Sequence, residues 1–139
     1  MSGDAQKIRL RTPNVAPRTR VFVYGTLLAG ESNHRYLTNA RLVSEAKTKA
    51  AFRLYDLGPY PGLVAVGDHA VFGEVYEVDE PTLAILDRLE GHPRFYVRKP
   101  IVLASGDTVE TYLLMPHQVV GRPIIASGSW RLRHKDTRP

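Results

Sequence analysis

The chain has 139 residues, 43% of them hydrophobic and 24% charged, which suits one globular domain around a single core. It contains no cysteine, so disulfides, a thiol nucleophile and a thiolate metal site are excluded. A net charge of +5 would suit nucleic acid, but its distribution argues against a basic binding face. Lys7, Arg9, Arg11, Arg18 and Arg20 crowd one end, Arg131, Arg133, Lys135 and Arg138 crowd the other, and the stretch between is slightly acidic.

In chain order, residues 1–20 are polar and basic with Pro13 and Pro17, and read as a flexible N-terminal tail. They hold no apolar leader, and no apolar run anywhere approaches the ~18 residues of a membrane span. A cytoplasmic protein with no membrane partner and no specific nucleic-acid partner is expected. One domain is expected over 21–131, and 132–139 read as a C-terminal tail.

Val21–Tyr24 is an apolar strand running into Gly25. The stretch GTLLAGES that follows is one letter from a phosphate-binding loop, with Glu31 where that loop needs lysine. A glutamate there repels the anion the lysine would neutralise, so the nucleotide reading fails on charge. Residues 33–38 suit one helical turn, and 43–55 suit a strand. DLGPYPGL, residues 56–63, concentrates turn formers and reads as a loop. Leu63–Val66 and Ala70–Val78 read as strands of a hairpin around Gly67-Asp68. Tyr96–Ala104 and Thr108–Met115 read as a second hairpin around Ser105-Gly106-Asp107. Beyond Pro116 the chain is irregular.

The clearest helix is residues 79–91, with Asp79 or Glu80 as cap, Pro81 in the first turn and Gly91 as the stop. Many short strands with one main helix give an α+β fold, expected to be a small mixed β-barrel flanked by a few helices. At ~100° per residue, Leu83, Ile85, Leu86 and Leu89 share a broad arc, with Ala84, Asp87 and Arg88 expected opposite. Glu90 falls between Leu83 and Leu86, on the core face and at the negative end of the helix dipole. Stability would choose neither position for a glutamate. Both should raise its pKa toward the range of a general acid/base. A glutamate fraying into solvent at the helix end is the alternative.

Other candidates are weaker. The five histidines show no ligand spacing, so no metal is expected. No serine lies in a G-x-S-x-G elbow. Glu74 and Glu77 in GEVYEV face opposite sides of one strand and make no carboxylate pair. Trp130 reads as a packing anchor.

Taken together, YGTL at 24–27, the Asn33-His34 pair, GPYPG at 58–62, GEVYEV at 73–78, LDRLEG at 86–91 and FYVR at 95–98 resemble the gamma-glutamylcyclotransferase-like family, in its AIG2-like, gamma-glutamylamine cyclotransferase branch. The likeness runs over about residues 21–115, with SGSWR at 127–131 as a last element. That family's motif carries an acidic residue before the tryptophan, where this chain has Ser129. The resemblance implies a barrel with a cavity at one end, Glu90 as catalytic acid/base, and Tyr24, Gly25, Thr26 and Leu27 as the substrate loop, with Tyr96 orienting substrate or carboxylate through its hydroxyl. It implies a small-molecule γ-glutamyl substrate, converted to 5-oxoproline and a free amine without cofactor or metal. A non-catalytic small-molecule-binding or partner-docking module on the same fold is the alternative.

Overall fold

Seven segments rich in β-branched and aromatic residues form strands. They are β1 Arg18–Val23, β2 Arg41–Lys47, β3 Phe52–Asp56, β4 Pro61–His69, β5 Phe72–Asp79, β6 Val97–Val102 and β7 Thr108–Leu114, with helix α1 Glu80–Glu90 between β5 and β6. The computed structural model describes residues 17–136, the side chains of 135 and 136 excepted. Most of the expected N-terminal tail therefore lies outside the described residues. β1 begins at Arg18 rather than Val21, because Arg18, Thr19 and Arg20 pair with Asp79, Val78 and Glu77 of β5.

The strands form one mixed sheet in the order β2-β5-β1-β7-β4-β3, with β6 also on β7. β7 is its centre. β6 runs antiparallel along β7 from Val97–Leu113 to Val102–Thr108. The opposite edge of β7 is shared: β1 joins in parallel at Val21–Glu110 and β4 in parallel at Leu63–Leu113 and Val64–Leu114. An isolated bridge between Thr48 and Leu103 brings the end of β2 to the end of β6. The sheet thus curls as a barrel does, but no full strand pair closes it. Val21, Phe22, Leu63, Val71, Val78, Leu86 and Leu114 fill the interior.

The β6–β7 hairpin and the turn at His34–Leu37 lie where the sequence puts them. So does α1. The Asp79 carboxylate accepts the Thr82 amide at 2.9 Å, Pro81 sits in the first turn, and Gly91 ends the helix in the left-handed region at φ 70°. Three expectations need correction. Residues 43–55 make two strands, parted where the buried Thr48 turns inward, its Oγ1 accepting the Val71 amide at 3.0 Å. The Gly67-Asp68 hairpin does not form, since β4 pairs with β3 and β7 and β5 with β1 and β2. Gly67 lies instead in a register shift of β4, where a Cβ would stand 2.7 Å from the Phe52 carbonyl oxygen. The helix buries a narrower stripe than the wheel proposed: Leu86 is fully buried, but Ile85 and Leu89 are exposed. Asp87 faces inward, as its angle of about 40° from Leu83 allows.

Candidate active site

β1 carries Val21, Phe22 and Val23 into the core and delivers the chain to Tyr24, where β1 and β4 share the edge of β7. The Tyr24 hydroxyl spans that junction. It donates to the Tyr112 carbonyl at 2.6 Å and accepts the Leu63 amide at 3.3 Å. With the strand ended, residues 25–33 fold into a compact loop closed by Leu28 N–H to Gly25 C=O at 3.0 Å and Asn33 N–H to Thr26 C=O at 2.8 Å. The Asn33 side-chain amide donates to Thr26 Oγ1 at 3.0 Å. His34 Nδ1 donates to the Leu27 carbonyl at 2.9 Å. Among the described residues, the amides of Gly25, Thr26 and Leu27 have no intramolecular acceptor, so three successive donors remain available.

Gly25 is glycine for a spatial reason. A Cβ there would stand 2.5 Å from Cγ of Pro61, so the close approach is to the GPYPG loop. Glu31, the residue that spoiled the phosphate-loop pattern, accepts the Trp130 indole N–H at 3.2 Å. Trp130 is buried as an anchor, and Arg133 covers its ring at 3.7 Å. The SGSWR segment therefore braces the loop from behind.

The loop, the GPYPG turn and the C-terminal end of α1 surround a cavity of about 460 Å³, within the usual range for small-molecule sites. Tyr24, Gly25, Thr26, Leu27, Glu90 and Tyr96, named separately from the sequence, all line it. Glu90 is partly buried, and among the described residues its carboxylate has neither hydrogen bond nor ion pair. Burial pushes its pKa up to about 7. The phenols of Tyr24 and Tyr96 are held far above their ordinary range, by burial first and in part by the nearby Glu90 carboxylate. Both remain protonated. Tyr96 donates its hydroxyl to the Pro61 carbonyl, so that proton is committed to the wall rather than to Glu90.

Sequence reasoning missed Tyr112. It lines the cavity, and its hydroxyl donates to Asp87 Oδ1 at 2.7 Å. Asp87 also binds Arg98 Nε at 2.9 Å, and Arg98 reaches Glu110 at 3.0 Å. Burial works against the Asp87 charge, but Arg98 and Tyr112 outweigh it and hold its pKa below the usual carboxylate range. An Asp placed one helical turn before Glu90 was the available signal, hidden by assigning it to the solvent face. Glu74 is also buried, but its carboxylate is satisfied by the Ala29 amide at 3.0 Å, Tyr76 at 3.0 Å and Arg131 at 3.2 Å. Among the described residues no cluster of three or more His, Asp or Glu could hold a metal ion, and no helix is long and apolar enough to cross a membrane.

Residues 21–132 match the family model described as gamma-glutamyl cyclotransferase, AIG2-like. A Vibrio cholerae protein, provisionally named a gamma-glutamylcyclotransferase, is 50% identical over 111 residues, covering 79% of this chain and 93% of that protein. The gamma-glutamylcyclotransferase family protein YtfP of Escherichia coli K12 is 39% identical over 116 residues, covering 84% of this chain and 99% of its own. Among solved structures, an AIG2-like protein from Mus musculus matches with a TM-score of 0.62 at 30% identity, over 75% of this chain and 80% of that one.

Proposed function

The chain belongs to the gamma-glutamyl cyclotransferase, AIG2-like family, and we propose that it releases 5-oxoproline and a free amine from a γ-glutamyl amine or dipeptide, with Glu90 as general acid/base. The observation that carries this reading is the unpartnered Glu90 carboxyl in the cavity wall, raised by burial to about 7. At neutral pH such a group both accepts and returns a proton.

The nucleophile is the substrate's own α-amine. Its nitrogen bonds to the γ-carbonyl carbon as the bond from that carbon to the leaving nitrogen breaks. The substrate ammonium loses two protons in becoming the ring amide N–H, and the leaving nitrogen gains two in becoming an ammonium ion. Glu90 relays one directly; the second exchanges through the same carboxyl or solvent. No water is consumed. Holding the substrate in its folded conformer supplies part of the rate, since the attack is already intramolecular. The amides of Gly25, Thr26 and Leu27 are the donors for the glutamyl α-carboxylate and for negative charge developing on the attacked oxygen. The rings of Tyr24, Tyr96 and Tyr112 exclude water from Glu90.

The test is the appearance of 5-oxoproline when purified protein meets a panel of γ-glutamyl amines and dipeptides. Product from at least one class is expected. If binding occurs without 5-oxoproline from any of them, the chain is a binding module on this fold.

A further inference from the structure

The cavity has a buried floor and an exposed rim. Phe22, Val23, Tyr24, Tyr96 and Tyr112 make the floor, whereas Tyr60, Leu89 and Phe95 are 36%, 36% and 38% exposed. Arg88 is also exposed at the rim. A reacting carbonyl must reach Glu90, so whatever is attached beyond the scissile bond extends toward that rim.

Among the described residues, the charged side chains lining the cavity are Glu90 and Arg88. Arg98, Arg41 and Arg131 each have a carboxylate partner, but among the described residues the Arg88 guanidinium has neither ion pair nor hydrogen bond. Arg88 is exposed whereas Glu90 is partly buried, so the guanidinium charge lies toward solvent rather than at the reacting end. The same cavity is lined by packed aromatic rings: Tyr60 meets Phe95 edge to face at 6.2 Å, and Phe95 meets Tyr96 at 5.0 Å. Rings locked this way offer apolar contact at little entropic cost.

We propose that the rim selects γ-glutamyl dipeptides whose leaving residue has a bulky apolar side chain, Arg88 pairing with that residue's free carboxylate while Tyr60 and Phe95 hold the side chain. This rests on the cyclotransferase reading of the floor. A leaving group bearing a second ammonium meets Arg88 as a like charge, so γ-glutamyl diamines are rejected. The three loop amides already serve the glutamyl carboxylate, leaving Arg88 for the second one.

The experiment compares kcat/KM for γ-glutamyl-phenylalanine, γ-glutamyl-phenethylamine (same ring, no carboxylate), γ-glutamyl-alanine and a γ-glutamyl diamine. The phenylalanine compound should lead each of the first two alternatives by about tenfold, the worth of one charge-assisted or one well-buried apolar contact, with the diamine last. Arg88→Gln should bring the phenylalanine-to-phenethylamine ratio to within about twofold through KM, and Arg88→Lys should recover part of it. Phe95→Ala should shrink the phenylalanine-to-alanine ratio. The same two aromatic ligands titrated calorimetrically into Glu90→Gln protein should show the same ratio in Kd. A wild-type ratio near one, or one untouched by Arg88→Gln, overturns the proposal even if 5-oxoproline is made. Conversely, an Arg88-dependent ratio in binding, with no 5-oxoproline from any compound, upholds the rim and removes the cyclotransferase reading.

Discussion

Glu74 and Glu90 are both carboxylates drawn into the protein, yet their surroundings give them opposite character. Glu74 is 6% exposed and meets an amide, a phenol and a guanidinium. Burial works against its charge, but those partners prevail and its pKa is lowered. Its neighbour Tyr76 is pushed up to about 12. Glu90 has no hydrogen-bond or ion-pair partner among the described residues, and burial raises its pKa to about 7. Burial alone therefore does not make an acid/base. What matters is whether the buried charge is supplied with donors. Glu74, with its capacity filled, ties the 25–33 loop to β5 and, through Arg131, to the C-terminal segment. Glu90 has capacity to spare.

The largest effect that separates the two is on turnover. Glu90→Gln keeps size and polarity but carries no transferable proton, so kcat should fall by about 10²–10⁴-fold with the fold intact and substrate still bound. For wild type, kcat/KM should rise with pH through a limb near 7. Retention of more than a tenth of wild-type turnover by Glu90→Gln would sink the assignment.

The pH dependence of stability should be opposite for the two carboxyls. Because the folded pKa of Glu90 lies above its ordinary 4.5, the native state binds that proton more tightly than the unfolded chain. Wild type should therefore lose stability relative to Glu90→Gln as pH rises from about 4.5 to about 7, by up to about 3 kcal/mol, and hold level beyond. Glu74, lowered, contributes stability above 4.5 that is lost on acidification. Urea melts of wild type and Glu90→Gln from pH 4 to 8 read the difference, and a constant gap across that range would contradict it.

Next comes Glu74→Gln, expected to cost about 2 kcal/mol at neutral pH by weakening charge-assisted bonds to Ala29, Tyr76 and Arg131. The deficit should shrink toward acid pH. Its pH profile of kcat/KM should keep the limb near 7, because Glu74 holds the loop and moves no proton. Displacement of that limb in Glu74→Gln would mean the two roles had been assigned the wrong way round.

How far this was legible in the sequence follows from how local each cause is. The helix α1 is written in its own caps, Asp79 and Gly91, and β6–β7 in its own turn, so both were readable. Glu90 was readable because a helical wheel needs only neighbours in sequence. The partners of Gly67 and Gly25 could not be read locally, because they lie elsewhere in the chain: the Phe52 carbonyl for Gly67, whose φ of 150° also favours glycine, and the Pro61 ring for Gly25. Asp87 was put on the solvent face because its partners, Arg98 and Tyr112, arrive from β6 and β7. The cavity rim was unreadable for the same reason: Tyr60, Arg88 and Phe95 come together only when three separate segments converge.

The smallest expected effect concerns the loop that joins the two carboxylates, anchored at Ala29 by Glu74 and lining the cavity of Glu90. Thr26→Val removes a hydroxyl that accepts one hydrogen bond, from the Asn33 side chain. The main-chain bond from Asn33 to the Thr26 carbonyl remains, and so do the amides of residues 25–27. Losing one part-buried neutral hydrogen bond should cost about 1 kcal/mol of stability. If the loop acts through its backbone donors, turnover should fall by no more than a few-fold, chiefly in KM, and the limb near 7 should stay. Thermal melts alongside steady-state kinetics separate the two quantities. A loss in kcat approaching that of Glu90→Gln, at nearly wild-type stability, would mean that the Thr26 hydroxyl itself touches the reacting atoms. Catalysis would then involve a third group beside the Glu90 carboxyl and the loop amides.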